Sequence, residues 1–131
     1  SGNQTTYTWQ RVVSQTPGGQ ASYAVYSDCK LGEGVSEDDF YNAYKAYAKA
    51  AKKLGDVAGR KMILPTSGVP STWDYDFVQL VTTETIADYG KNWTNFWSQA
   101  TGESMPELKA LQDLGGSCEN ERTYGIVPVR N

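Results

Sequence analysis

The chain contains no histidine among its 131 residues, and that absence narrows its chemistry more than any motif does. It removes Ser-His-Asp and Cys-His catalysis, His-ligated zinc and His-ligated haem. What remains is chemistry on carboxylates, tyrosines, lysines, a thiol or a bound cofactor. Asp74 and Asp76 flank Tyr75 at i, i+2 and would share a strand face as an acid/base pair. At a strand start beside a turn, however, such carboxylates are more often solvated. Glu119 and Glu121 beside Arg122 read as a surface ion-pair cluster of little energetic weight. Cys29 and Cys118 form no CxxC, which leaves a bridge, two inert thiols, or a redox or metal role as alternatives.

The aromatic residues form the densest candidate site. Tyr44 and Tyr47 belong to one helical pattern, and Tyr89, Trp93 and Trp97 to another; both stripes would face a sheet. Two readings stay open. One is core packing, where buried aromatics carry much of the energy wherever they occur. The other is a pocket for a flat or hydrophobic ligand, with Gln79, on a strand face with Phe77 and Val81, as one of its polar groups.

A single domain of this length can bury a core without metals. Charged residues make up 21% and apolar residues 39%, an ordinary globular balance. The net charge of −3 has no basic block behind it. Lys45, Lys49, Lys52 and Lys53 lie on a helix whose first turn holds Glu37, Asp38 and Asp39, which complements a helix dipole rather than building a phosphate-binding stripe. Nucleic acid is therefore not an expected partner. No apolar run approaches the roughly 18 to 20 residues of a membrane span. Ser1-Gly2 in place of an initiator Met fits either a processed N-terminus, such as a cleaved signal peptide leaves, or residues left by recombinant expression.

The elements that must position these residues follow from periodicity. Thr6 to Val13 reads as a strand, broken by the Pro17-Gly18-Gly19 turn, and Ala21 to Cys29 as a second. Glu37 to Leu54 is a helix, with Phe40, Tyr44, Tyr47, Ala48 and Ala51 on one stripe, a Ser36/Asp39 capping pair and Gly55 as its stop. Arg60 to Leu64 and Tyr75 to Thr83 are strands around a loop from Pro65 to Thr72. Thr85 with Asp88 opens an aromatic helix. Ser104 with Glu107 opens a short one carrying Leu108, Leu111 and Leu114, and Arg122 to Arg130 is the last strand, with Pro128 marking an edge.

From Ala21 onward this is β-α-β-β-α-β, a split βαβ order. The segments YAVYSDCKLGEG, SEDDFYNAYKAYAKAAKK, WDYDFVQLVTTETIADYG and CENERTYGIVPVR resemble the dimeric α+β barrel superfamily, and within it an apparently exported bacterial branch. The resemblance implies an α+β, ferredoxin-like domain over residues 21–131, whose sheet pairs with that of a second subunit in a barrel. Residues 1–20 are then an extension whose one strand extends the sheet or reaches across the dimer, and the short third helix is an addition. It also implies a cavity between sheet and helices. The superfamily includes haem-degrading and quinol-type monooxygenases and haem peroxidases. Haem degradation there needs a His that this chain lacks, so no cofactor is expected. Cofactor-free oxygenation relies on Asn, Trp and Tyr; Asn92, Trp93 and Tyr89 are of those types, without a position-by-position match.

Under that fold Cys29 ends the first core strand and Cys118 precedes the last, its antiparallel neighbour, so a disulfide becomes geometrically reasonable. A bridge means an oxidising compartment, hence periplasmic or secreted. An exposed sheet face must be covered, which leads to a homodimer. The expectation is an exported protein binding a small hydrophobic or aromatic molecule. The rival readings are a cofactor-independent monooxygenase-like enzyme and a structural or interaction protein with a filled core.

Overall fold

The computed structural model describes residues 8–16, 21–65, 70–85, 87–88, 90–91, 94 and 105–125. These form an α+β structure in chain order β1 (Thr8–Ser14), β2 (Tyr23–Leu31), α1 (Glu37–Lys53), β3 (Gly59–Pro65), β4 (Phe77–Thr83), α2 (Pro106–Asp113) and β5 (Gly116–Gly125). The five strands make one sheet in the order β1-β3-β4-β2-β5, with every neighbouring pair antiparallel. β2 and β3, which flank α1 in the chain, therefore run in the same direction with β4 between them.

α1 forms where its pattern predicts. Ser36 accepts the Asp39 N–H at 3.1 Å, three acidic residues open the helix and two lysines close it, each favourable to the dipole. Leu54 caps it, and Gly55 follows at φ 95°. Its buried face, Tyr44, Tyr47, Ala48 and Ala51, packs on Met62, Phe77, Val13 and Cys29 of the sheet. Phe77 and Met62 are almost wholly buried, each contributing about 1.5 to 3 kcal/mol through apolar burial.

β1 extends the sheet beyond β3, with Trp9 opposite Leu64 and Arg11 opposite Met62. It is also clasped to α1. Arg11 donates to Glu37 at 2.9 Å and Asp38 at 2.7 Å and lies 3.7 Å over the Tyr41 ring, Tyr41 donates to the Val12 carbonyl, and Lys52 to that of Gln15. The N-terminal strand thus belongs to the same sheet as β2, β3, β4 and β5.

Three boundaries differ from the periodicity reading. β4 begins at Phe77 rather than Tyr75, because Asp76 donates its N–H to the Cys29 carbonyl and turns the chain into the sheet there. α2 starts with Pro106 behind a buried Met105 that makes no side-chain cap; Ser104 of the expected capping pair lies outside the described residues. β5 begins at Gly116, not Arg122. Gly116 has φ 101°, and a Cβ there would fall 2.6 Å from the Lys30 carbonyl oxygen; only glycine lets the chain enter the sheet directly after α2. The expected end of that strand, residues 126–131, lies outside the described residues.

At the start of the predicted aromatic helix, Thr85 accepts the Asp88 N–H at 3.0 Å, and positions 87, 88, 90, 91 and 94 are helical. Among the described residues, no helix is long and apolar enough to cross a membrane.

Candidate functional site

The helix-facing side of the sheet gathers its polar groups beneath α1. Tyr44 and Tyr47 stand one turn apart, their ring centroids separated by 6.2 Å. Under them, Arg60 and Met62 project from β3, and Gln79 of β4 is registered opposite Met62. Just past the end of α1 the chain tightens, the Asp56 N–H donating to the Ala51 carbonyl. That turn buries the Asp56 carboxylate against the Arg60 guanidinium, whose Nη1 and Nη2 each donate to one carboxylate oxygen. Both side chains are nearly inaccessible, at 0% and 8% exposed. The guanidinium carbon also lies 5.4 Å from the Tyr47 ring centroid, a cation–π contact strengthened by desolvation.

Electrostatics follow from this burial. Removal from water is the largest single influence and would lower the Arg60 pKa, but the hydrogen bonds to Asp56 together with the fields of Asp56, Tyr44 and Tyr47 outweigh it, and the net direction is upward. Burial pushes the Tyr44 phenol well above its ordinary value of 10.0, the nearby Arg60 opposing without prevailing; Tyr47 moves the same way for the same first cause. Tyr44 therefore remains a neutral O–H donor at any physiological pH. Its oxygen is buried and, among the described residues, makes no hydrogen bond. Gln79 stands near enough to favour the phenolate slightly, yet no bond of proper geometry closes onto the oxygen.

These directions carry a pH dependence. Both tyrosines have folded-state values above the unfolded one, so their contribution to stability is fully present below pH 10.0 and is lost as pH rises through the folded values. Alkaline titration followed by tyrosinate absorbance should show Tyr44 ionising only as near-ultraviolet dichroism collapses. Uniform titration of all nine tyrosines with the fold retained would contradict this burial.

A disulfide closes the other side of the region. Cys29 on β2 and Cys118 on β5 are direct cross-strand partners, bonded with Cα atoms 4.1 Å apart. Gln79 Oε1 rests 3.5 Å from Cys118 Sγ and 3.7 Å from Cys29 Sγ; disulfide sulfurs carry no proton, so these are packing contacts. Gln79 thus lies between the bridge and Tyr44.

Of the candidates read from sequence, Tyr44, Tyr47 and Gln79 come together here. Tyr89, Asn92, Trp93 and Trp97 lie outside the described residues. The carboxylates tie the loop before β4 to the end of β2 instead: Asp74 pairs with the Lys30 ammonium at 2.7 Å, and Asp76 accepts the Leu31 N–H at 2.7 Å. With β4 starting after them, they share no strand face and form no acid/base pair. Arg122 pairs with Asp28 rather than with its neighbouring glutamates. Among the described residues, no group of three or more His, Cys, Asp or Glu converges as a metal site would require.

Two groups went unread in the sequence. One is Asp56 and Arg60, whose signal is a pair of opposite charges, each directly after a glycine (Gly55 and Gly59), with Val57 and Ala58 between them. The other is a chain on the second sheet face, Glu119–Tyr75–Asn120–Asp28–Arg122, which depends on a register break in β5. No protein-family model, curated protein or solved structure matches this chain.

Proposed function

We propose that the protein is an exported homodimer that binds a small hydrophobic or aromatic molecule between sheet and helices, on a ferredoxin-like βαββαβ unit spanning residues 21–131. The observation that carries the ligand reading is the Tyr44 hydroxyl, a buried polar group without a partner among the described residues. Leaving such a group unsatisfied costs about 1 to 3 kcal/mol, and a ligand carbonyl or phenol oxygen would recover that loss. The aromatic rings of Tyr44 and Tyr47 supply the apolar walls, and Gln79 a second polar contact. In this reading Tyr89, Trp93 and Trp97 complete the lining.

The strand order β3-β4-β2-β5 and the crossover through α1 support the ferredoxin-like unit, with β1 as an added edge strand. The disulfide is compatible with export. Support for the dimer comes from the sheet face turned away from α1, where Val12, Ile63, Val78 and Leu80 surround Lys61 on the β1–β3–β4 half; Val12 is 40% exposed. A second copy of this chain is the occupant proposed for that area. A Tyr44 phenol held protonated suits a hydrogen-bond donor rather than a general base, which favours binding over oxygenation.

Native mass spectrometry of unreduced protein, wild type beside Tyr44→Phe, tests the reading. Wild type should appear as a dimer retaining a non-covalent adduct. Tyr44→Phe should weaken retention roughly 3- to 10-fold, the weight of one hydrogen bond, while stabilising the empty protein by about 1 kcal/mol. A gain in stability with no adduct in either protein means a filled core. A monomer across the micromolar range overturns the dimer.

A further inference from the structure

On the sheet face opposite α1, the β2–β5 half is polar and aromatic, while the half beside it is mainly aliphatic around Lys61. Cross-strand alternation would send Glu119, Asn120, Glu121 and Arg122 to opposite faces in turn. The register instead shifts between Tyr26 and Asp28, and Asn120 adopts a left-handed backbone at φ 58°, a conformation Asn tolerates better than other side chains. This bulge re-aims the strand. Glu119 stays opposite Asp28 and Arg122 opposite Tyr26, and the Asn120 side chain joins them on the same face. Bulges of this kind recur beside binding sites because they redirect side chains.

The redirected groups are already bonded to one another. Asp28, 7% exposed, accepts from Arg122 Nη2 and from Asn120 Nδ2, each at 3.1 Å. Asn120 Nδ2 also reaches the Tyr75 hydroxyl at 3.1 Å, and that hydroxyl lies 3.4 Å from Glu119. Arg122 Nη1 donates to the Asn120 carbonyl at 2.9 Å, which fixes the guanidinium plane against the bulge. Beside this network Tyr26 and Tyr124 meet edge to face, their centroids 5.5 Å apart, and with Arg122 they line an open cleft of about 390 Å³. Tyr124 is 52% exposed.

We infer that this cleft is a binding site for a neutral carbohydrate. The carboxylate of Asp28 already balances the charge of Arg122, so the cleft does not select an anion. A guanidinium has five N–H donors, and the two contacts above leave others free for adjacent hydroxyls. Fixed planar side chains suit the paired hydroxyls of a pyranose, and the flat C–H face of such a ring packs on an exposed tyrosine, a rigid side chain that loses little entropy on binding. The cleft falls within the roughly 300 to 1,000 Å³ of small-ligand sites, and its openness fits a chain end or loop of a glycan rather than an enclosed apolar molecule. This site is separate from the Tyr44 region and does not depend on it.

The test is an array of neutral oligosaccharides (glucans, mannans, xylans and chitooligosaccharides), with hits measured in solution by saturation-transfer NMR and titration. Binding to at least one class is expected, weakened more than 10-fold in Tyr124→Ala and in Arg122→Met. Asn120→Gly keeps the left-handed backbone but removes the amide, and should weaken binding at a temperature where the variant is still fully folded by circular dichroism. Tyr44→Phe should leave glycan binding intact, which separates this site from the one proposed above. The assignment is overturned if no neutral glycan binds, if only charged glycans bind, or if binding survives all three cleft variants. It is also overturned if Tyr124→Ala changes the native mass and no glycan binds, since the patch is then a contact between copies.

Discussion

Replacing Cys29 and Cys118 together with alanine should lower the unfolding free energy by about 4 to 5 kcal/mol. The bridge spans 89 residues of sequence, and a closed loop of that length removes conformational entropy from the unfolded chain to this extent in the chain-entropy model. The loss is large beside the roughly 5 to 15 kcal/mol that holds a typical domain folded. Location adds to it. β5 is an edge strand exposed along nearly its whole length, so little apolar burial holds it to β2. Urea unfolding of wild type and double variant measures the effect as a shift in midpoint. Hydrogen exchange should show the Ser117–Gly125 amides losing protection first. A loss below about 1 kcal/mol, with β5 still protected, would mean that the ladder alone secures the strand and that the bridge adds nothing the unfolded chain lacks.

Breaking the Asp56–Arg60 pair from one side should be almost as costly. Arg60→Ala leaves the Asp56 carboxylate buried without its cation, and Asp56→Ala does the reverse; each should destabilise by about 3 to 5 kcal/mol. The combined variant Asp56→Leu with Arg60→Met should recover most of this loss, because two apolar side chains of similar volume avoid the desolvation cost of both charges. A double-mutant cycle measured by denaturant unfolding reads the coupling directly. Single variants within 1 kcal/mol of wild type would show that water reaches the pair. The result bears on the proposed pocket, since Arg60 sits against Tyr47 and its charge acts on Tyr44.

What could be read from the sequence was whatever repeats with a period. α1 has apolar residues recurring on one stripe and caps at both ends, so its limits are nearly as predicted. β2, β3 and β4 carry apolar or aromatic residues on a period of two and were placed to within a few residues. The cysteine pairing was legible only through topology, because it needs β2 beside β5. The start of β5 was not legible: Ser-Cys-Glu-Asn-Glu has no buried face to alternate with, and its pairing is set by Gly116 and the bridge. Asp56 and Arg60 are four residues apart but lie in a turn and a strand, so neither helical nor strand spacing links them. The Asp28–Arg122 pair depends on a bulge that no alternation rule anticipates. Whether the Tyr44 hydroxyl finds a partner is decided by distances of a few tenths of an ångström, which composition does not encode.

The placement of the bridge also has a mechanical consequence. β5 meets β2 antiparallel, with Gly125 opposite Tyr23 at one end and Cys118 opposite Cys29 near the other. A pull on the strand from its Gly125 end loads the ladder one rung at a time, as a zip opens, rather than shearing all rungs together. Peeling would run through Tyr124, Arg122 and Glu119 and halt at Cys118, where a covalent bond takes the load. Tension from that side could open the tyrosine–arginine cleft while leaving the Tyr44 region closed behind the disulfide, so the bridge acts as a stop that limits how far the edge can be drawn out.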